Sequence, residues 1–398
     1  MSFSILASIC ITLNAPVGGG ESAPKPSQFE KVPAAEATQI GDVIGLTVEQ
    51  QKMRYPGNKP VLRGVHPKDH GCVQATVEVL EALPENLRIG VFASPGRKYE
   101  AWIRFSNAAV LVGPDSPSSP SRHGSRGMAI KLMGVSGSPL LEVDGALTQD
   151  FLMVNHPVFA FSNVEDYGAL SQVLLTDKDN PTRFFVERIR VKDGKPDLKD
   201  PITLRALNTK RISERIQSLK VDGDRGAYQD PPASPVDNIY FSAAPYLFGP
   251  DHVMKYSVKP ENPQTGGPSD TSDPDYLRKA LYERLAGNGA KDIVLDFRVQ
   301  VRGKADLEGK IEHEIEDACT LWDEKEFPWA TVAKITIKPQ DFNTEDRKRQ
   351  CEALFFTPWH GVADHQPIGG INRLKLGVYR ASSAFRHFPK EPSGFDGR

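Results

Sequence analysis

The chain has 398 residues, of which 49 are basic and 51 are acidic. Its length is enough to bury a large core, in one large domain or in two smaller ones. The balanced charge excludes a global field that favours nucleic acid or an anionic membrane, so we expect a small-molecule substrate.

The N-terminal segment is predicted to lie outside the folded core. Residues Phe3 to Ala15 form a short apolar run that resembles a secretory signal, but no basic residue precedes it, and a disordered N-terminus is the alternative. The run is too short to span a bilayer, so we expect a soluble protein, cytoplasmic rather than periplasmic or secreted. Residues 16–45 are rich in Gly, Pro, Ala and Ser and predict a flexible arm. The predicted divisions are an N-terminal arm (1–54), one domain (55–390) and a C-terminal tail (391–398).

Strand and helix patterns alternate along the rest of the chain. Together they predict the α+β class, and two turn-rich stretches, Gly113–Ser125 and Pro260–Asp275, are predicted surface loops. Runs of β-branched and aromatic residues predict strands at Tyr99–Phe105, Gly127–Met133, Phe151–Asn155, Asn238–Ser242, His252–Val258, Ile293–Val301 and Thr331–Ile337. Helical patterns occur at Thr47–Arg54, Val164–Leu175, Pro201–Lys220, Asp275–Ala286 and Asn372–Arg386.

The four cysteines give no sign of a disulfide framework or a zinc site. Cys10, Cys72, Cys319 and Cys351 are widely separated and form no CxxC pair. We therefore expect four free thiols.

The last predicted helix carries the most informative local pattern. Lys375, Tyr379 and Arg386 are separated by four and seven residues, which places them on one helical face. Cations stabilise a phenolate, and a phenolate can ligate ferric iron. The same pattern also fits a solvated basic helix that a tyrosine anchors to the core.

Motifs in a fixed order give that tyrosine a context. An Arg lies three residues before a His in Arg63–Gly71, and further motifs follow at Trp102–Ser106, Ser125–Lys131 and Asp150–Phe159, with weaker ones at Asp275–Val301 and Phe327–Asp341. Over roughly residues 55–390 the chain resembles the catalase superfamily, and the run Trp359–Arg373 resembles its small members. The resemblance implies an antiparallel eight-stranded β-barrel with flanking helices and a haem b buried beside the barrel.

The resemblance also implies roles for individual residues. Tyr379 would be the axial ligand of the haem iron, and His66 would move protons on a bound peroxide. Ser106 would orient the His66 imidazole, and Asn155 would hold the peroxide by a hydrogen bond. An ungapped alignment on Pro157 places Val154, rather than Asn155, at that last position.

Further residues are assigned to cofactor binding by the same resemblance. Catalases have an arginine where this chain has Lys375, and an ammonium can lower the pKa of the phenol but lacks the guanidinium fork, so Arg373 is predicted to share the task. Three arginines match family positions that pair with the haem propionates or lie beside the axial ligand, and three phenylalanines would pack against the porphyrin. These are Arg63, Arg104 and Arg386, and Phe105, Phe159 and Phe161.

Several functions remain open at this point. The first is a haem peroxidase or catalase-like enzyme acting on hydrogen peroxide or an organic hydroperoxide. Members of the family are often homo-oligomers, so the resemblance also implies a homo-oligomer. The second is an enzyme of the allene oxide synthase type, which rearranges a fatty-acid hydroperoxide. Those enzymes have a hydroxyl residue before the distal histidine. This chain has Val65 there, which favours peroxide cleavage. A haem-binding protein without turnover is a further alternative. A zinc protein using His360, His365 and His387 has little support because their spacing matches no common zinc motif.

Overall fold

The computed structural model describes most of the chain. The described residues are 24–57, 61–107, 125–141, 147–177, 182–207, 220–221, 225–226, 234–264 and 272–386.

Strands and helices are numbered in chain order. The strands are β1 Asp69–Val79, β2 Lys98–Asn107, β3 Arg126–Leu132, β4 Gln149–Val154, β5 Val191–Lys192, β6 Lys195–Pro196, β7 Lys220–Val221, β8 Arg225–Gly226, β9 Tyr240–Phe241, β10 Tyr246–Leu247, β11 His252–Pro260, β12 Ile293–Gly303 and β13 Ala330–Ile337. The helices are α1 Glu36–Arg54, α2 Val164–Thr176, α3 Thr182–Arg188, α4 (201–207), α5 Tyr276–Ala286, α6 Ile311–Glu314, α7 Glu345–Ala353 and α8 Gly370–Phe385.

Eight of the strands form a closed antiparallel barrel. The ring runs β1-β2-β3-β4-β9-β11-β12-β13 and returns to β1. The short strand β9 closes it, because Phe241 pairs with Val154 of β4 and with Ser257 of β11. Closure leaves no unpaired strand edge within the ring. The predicted eight-stranded barrel with flanking helices is therefore confirmed.

The barrel interior is filled by apolar side chains that alternate along each strand. Phe151 lies at its centre, with its ring centroid 4.8 Å from that of Phe297 and 5.0 Å from that of Tyr256. Full burial of such a side chain contributes roughly 1.5–3 kcal/mol to folding. The alternation directs the intervening residues of β2, β3 and β4 to the outside of the barrel, where the helices pack.

Helix α8 packs outside the barrel against α1 and α2. Val43 of α1, Val164 of α2, and Leu374 and Val378 of α8 form a buried cluster. The predicted flexible arm is wrong for residues 36–45, because α1 begins at Glu36 rather than at Thr47. Its apolar stripe of Ile40, Val43 and Ile44, at the i, i+3, i+4 spacing, buries this first part of the helix. No helix formed by the described residues is long and apolar enough to cross a bilayer.

All seven predicted strands are present, although Asn238–Ser242 is reduced to the two residues of β9. Strand β1, in which Val73, Ala75, Val77 and Val79 point inward, was not predicted from the sequence. Helix α7 was not predicted either. Of the predicted helix Pro201–Lys220, residues 208–219 lie outside the described residues, as do 113–124 and 265–271 of the two predicted loops.

The prediction of four free thiols is wrong. Cys72 in β1 and Cys351 in α7 form a disulfide, with their Cα atoms 5.7 Å apart. The two residues are 279 positions apart in sequence, and only the packing of α7 against β1 brings them together. Cys319 is a free thiol, and Cys10 lies outside the described residues.

Candidate active site

A large cavity lies between the outer face of strands β2–β4 and helix α8. Part of it is open to solvent. Nine of the predicted site residues line it. They are Arg63, Val65, His66, Arg104, Ser106, Phe159, Lys375, Tyr379 and Arg386.

His66 is fixed against the barrel wall by its backbone and by two small residues. Its φ of 54° lies in the left-handed region, which few residues other than glycine adopt. Nδ1 lies 3.0 Å from Oγ of Ser106, and a Cβ at Gly127 would come within 2.3 Å of the same nitrogen. Glycine at position 127 is therefore what allows the imidazole to lie on the sheet.

The imidazole of His66 is held in its neutral form. Burial, together with the positive charges of Arg104, Lys375 and Arg63, lowers its pKa to about 3. Nε2 makes no hydrogen bond to any described residue. When Nδ1 donates to Ser106, Nε2 carries the free lone pair, so His66 can accept a proton at neutral pH.

Three arginines meet around one carboxylate at another part of the cavity. Nη1 of Arg63 donates to Oε2 of Glu352 at 2.7 Å, and Nη2 of Arg104 lies 3.9 Å from Oε1. Arg386 donates to the backbone carbonyl of Glu352 at 2.7 Å. Burial lowers the pKa of Arg63 and of Arg386. This arginine cluster, Arg63, Arg104 and Arg386, carries three positive charges against the single negative charge of Glu352.

The arginine cluster has unused capacity for an anion. Nε of Arg104 is buried and has no hydrogen-bond partner among the described residues. A buried donor without an acceptor costs roughly 1–3 kcal/mol, which an acceptor supplied by a ligand removes. Two carboxylates would balance the charge of the cluster and satisfy this donor.

Tyr379 lies on the face of α8 that the sequence predicted. It shares the cavity with Lys375 and Arg386, and its hydroxyl has no hydrogen-bond partner in the described part of the chain. Burial raises the pKa of Tyr379, so in the protein alone the phenol is protonated. A ligand that takes the phenolate oxygen must displace this proton.

Lys375, expected to lower the pKa of the Tyr379 phenol, makes no hydrogen bond to it among the described residues. Nζ of Lys375 donates to Oδ1 of Asn372 at 3.0 Å and lies 5.4 Å from the ring centroid of Phe159. Burial lowers the pKa of Lys375 to about 8. Arg373 does not share the predicted task either, because it forms ion pairs with Glu30, Glu36 and Glu316. The residue spacing was right, but the side chains are directed to other partners.

Asn155 does not reach the cavity, contrary to the prediction. Its Oδ1 accepts a hydrogen bond from the backbone N–H of Arg126 at 2.7 Å, and the cavity residue is Val154. Asn155 follows the last residue of β4, so a shift of one residue in the alignment exchanges an amide for an apolar side chain. Val154 pairs with Gly127 in the sheet and so lies beside His66.

Phe105 and Phe161 are not cavity residues either. Phe105 is fully buried in the barrel core, where its ring lies 6.2 Å from that of Tyr240. Phe161 packs edge-on against Tyr167 and Phe159. Phe159 alone of the three lines the cavity. Phe355 and Phe356, which were not predicted as site residues, line it as well.

The histidines of the zinc alternative are not brought together. Nδ1 of His360 lies 3.1 Å from Oδ2 of Asp150 and 3.2 Å from Nζ of Lys131. Nε2 of His365 accepts a hydrogen bond from the backbone N–H of Val91. His387 lies outside the described residues. The described residues hold no cluster of three or more potential metal ligands.

The barrel, its helices and their order define the fold of the catalases, as solved structures show. A fungal catalase matches with a TM-score of 0.57 and 16% identity, over 95% of this chain and 68% of that one. Catalase A from Saccharomyces cerevisiae matches with a TM-score of 0.58 and 15% identity, over 96% and 71% of the two chains. A bacterial catalase gives 0.54 and 16%, over 98% and 70%. No family model matches the sequence, and no curated protein matches it.

Proposed function

We propose that this protein is a haem-dependent enzyme of the catalase and peroxidase kind, which cleaves a peroxide. The observation that carries the proposal is one cavity with three features: the unbonded hydroxyl of Tyr379, the neutral imidazole of His66 and an arginine cluster with surplus positive charge. The catalase fold supports it.

The residues of the cavity fit haem b. Tyr379 offers an oxygen ligand for ferric iron, and Arg63, Arg104 and Arg386 offer the charge that two propionates need. Phe159, Phe355 and Phe356 offer aromatic surface for a porphyrin. Bound haem would supply the redox-active iron for cleavage of an O–O bond.

The protein's own contribution to the reaction is proton transfer. Nε2 of His66 accepts the proton of the hydroperoxide and returns it to the oxygen that leaves. Because the pKa of His66 is lowered to about 3, the imidazole is free to accept this proton at any pH above about 4. Ser106 keeps the ring in the required tautomer by accepting from Nδ1.

The wall next to His66 supports an organic hydroperoxide as a substrate beside hydrogen peroxide. Leu152, Met153 and Val154 line the cavity there, and Val65 precedes the histidine. Such a wall solvates an alkyl group but gives no second hydrogen bond to a small peroxide. Val65 also supports cleavage over rearrangement.

The test is turnover by protein reconstituted with haem, with hydrogen peroxide, a small alkyl hydroperoxide and a fatty-acid hydroperoxide. We expect haem binding, with a higher rate on the organic substrates. His66→Ala should keep the haem and lower turnover by about 100-fold or more, because only the proton transfer is removed. His252→Ala, at an exposed position of β11, is the matched control. Haem binding without turnover on any substrate would instead favour a non-catalytic haem protein.

A further inference from the structure

The C-terminal end of α7 holds two members of the arginine cluster. Nη2 of Arg63 donates to the carbonyls of Cys351 at 3.1 Å and Leu354 at 2.8 Å. Arg386 donates to the carbonyl of Glu352 at 2.7 Å. Carbonyls in the last turn of a helix have no partner within the helix and attract cations. The position of this helix end therefore sets the position of two guanidinium groups.

The disulfide joins the same helix end to the barrel beside the third arginine. Cys351 is bonded to Cys72 in β1, and Cys72 lies opposite Arg104 in the pairing of β1 with β2. One covalent link therefore fixes the acceptors of Arg63 and Arg386 relative to Arg104. The carboxylate of Glu352, one residue beyond Cys351, lies between Arg63 and Arg104.

The surroundings of the disulfide make this link rigid. Cys72, Cys351, Trp102 and Leu354 form a small apolar cluster of their own, and each of them is almost completely buried. The guanidinium of Arg347, on α7, lies 4.9 Å from the ring centroid of Trp102. Helix α7 thus has little freedom to move relative to β1 and β2.

We propose that the Cys72–Cys351 disulfide and Glu352 are positioning residues, which hold the arginine cluster in the geometry that receives the two carboxylates of the cofactor. The proposal rests on the haem site proposed above. Arginine side chains lose much conformational freedom when they are fixed, and a preorganised cluster has lost it before the ligand binds. Without the disulfide, part of this conformational freedom would be lost only when the ligand binds, and binding would be weaker.

The test compares two metal-free probes, protoporphyrin IX and its dimethyl ester, in fluorescence titrations of the full chain. The ester lacks the carboxylates but keeps the ring, and neither probe has iron for Tyr379. We expect Cys72→Ala/Cys351→Ala to bind the diacid about tenfold more weakly and the ester unchanged. Cys319→Ala, which removes the free thiol of the described residues, should leave both affinities unchanged.

If the disulfide had only a structural role, the double variant would bind both probes more weakly by the same factor. That result would overturn the proposal. Unchanged diacid affinity in the double variant would overturn it too, while leaving the proposed haem site intact. If the wild-type protein does not prefer the diacid to the ester, the arginine cluster does not hold carboxylates, and the proposed site fails as well.

A second measurement covers the case in which the double variant does not fold. Folded Cys319→Ala protein is treated with a phosphine reductant until the number of titratable thiols has risen by two. The same two probes are then measured before and after reduction. We expect the tenfold loss for the diacid alone, and an unchanged ratio between the probes would again overturn the proposal.

Discussion

The barrel side and the helix side of the cavity are built by different means. On the barrel side, His66 is placed by a left-handed backbone conformation, by a glycine beneath it and by a hydrogen bond to Ser106. On the helix side, Tyr379 comes from α8, and Arg63 and Arg386 of the arginine cluster are held by the end of α7. The imidazole of His66 is uncharged at neutral pH, whereas the arginine cluster, to which β2 contributes Arg104, carries surplus positive charge.

This difference suggests a division of labour between proton transfer and cofactor binding. A proton acceptor must be unprotonated and held in position, and burial and the barrel strands provide this for His66. A cofactor with two carboxylates needs positive charge in its site. The C-terminal end of a helix can hold arginine side chains there without one carboxylate of the protein for each arginine. Changes on the barrel side should therefore lower turnover at constant haem content, and changes on the helix side should lower haem affinity.

The largest effect is expected from Tyr379→Phe on the helix side. The ring keeps its shape but loses the oxygen, so stable ferric haem binding should be lost while the fold is retained. Tyr167→Phe, which alters another tyrosine of the same cavity, is the control and should retain haem. The Soret band and the haem content of purified protein measure both. An unaltered spectrum for Tyr379→Phe would reject the axial ligand.

Acid should destabilise the protein through its neutral histidines. The pKa is lowered to about 3 for His66 and His70, and to about 4 for His156 and His365, in each case first by burial. A histidine with a lowered folded pKa binds its proton more readily when unfolded, so stability is lost as pH falls below 6.5 towards pH 4. Each costs about 1.4 kcal/mol per pH unit in that window.

Unfolding followed by circular dichroism between pH 8 and pH 4 tests this expectation. Turnover by the reconstituted enzyme should fall with the folded fraction and not before it, because His66 itself stays neutral. A separate loss of turnover near pH 6 in folded protein would show that His66 titrates there, and would remove the contrast between a neutral and a charged side.

A smaller effect is expected from Gly127→Ala on the barrel side. The added methyl group would lie 2.3 Å from Nδ1 of His66 and 2.9 Å from Oγ of Ser106, so the imidazole must move. Turnover should fall by about 100-fold, as for loss of a general base, with haem content unchanged. Gly45→Ala in α1, where nothing lies within 4 Å, is the matched control. Loss of haem in Gly127→Ala would break the division between the two sides.

Local periodicity accounts for what the sequence could predict. The alternation in β2–β4 and the helical spacing of Lys375, Tyr379 and Arg386 both correspond to the structure, because each depends on a few neighbouring residues. The choice between Val154 and Asn155 depends on one residue of register. Sequence periodicity fixes which residues share a face of the strand but not which face meets the cavity.

Long-range features were beyond the reach of the sequence. Glu352 lies 289 residues from Arg63, and Cys351 lies 279 residues from Cys72, so no spacing rule joins them. The requirement for glycine at position 127 depends on where the His66 ring lies across the sheet. Each of these depends on packing between elements that are distant in sequence.

The smallest effect is expected from Glu352→Gln on the helix side. Burial raises the pKa of Glu352, but Arg63, Arg104 and Arg386 together hold it below its usual value, so the carboxylate is charged in the folded protein at neutral pH. Its loss leaves three buried arginines without a counter-charge. The free energy of unfolding of haem-free protein should fall by about 1–2 kcal/mol, measured by urea denaturation at neutral pH.

Glu352→Gln should lower the free energy of unfolding by less in the haem-loaded protein, because two propionates would then supply negative charge to the arginine cluster. Glu345→Gln changes an exposed carboxylate on the same helix α7 and should cost less than about 0.5 kcal/mol in both forms, as exposed ion pairs do. Equal losses for Glu352→Gln with and without haem would mean that the cofactor's carboxylates do not reach these arginines. The surplus positive charge would then bind a different anion, and the two sides of the cavity would not be divided into proton transfer and haem binding.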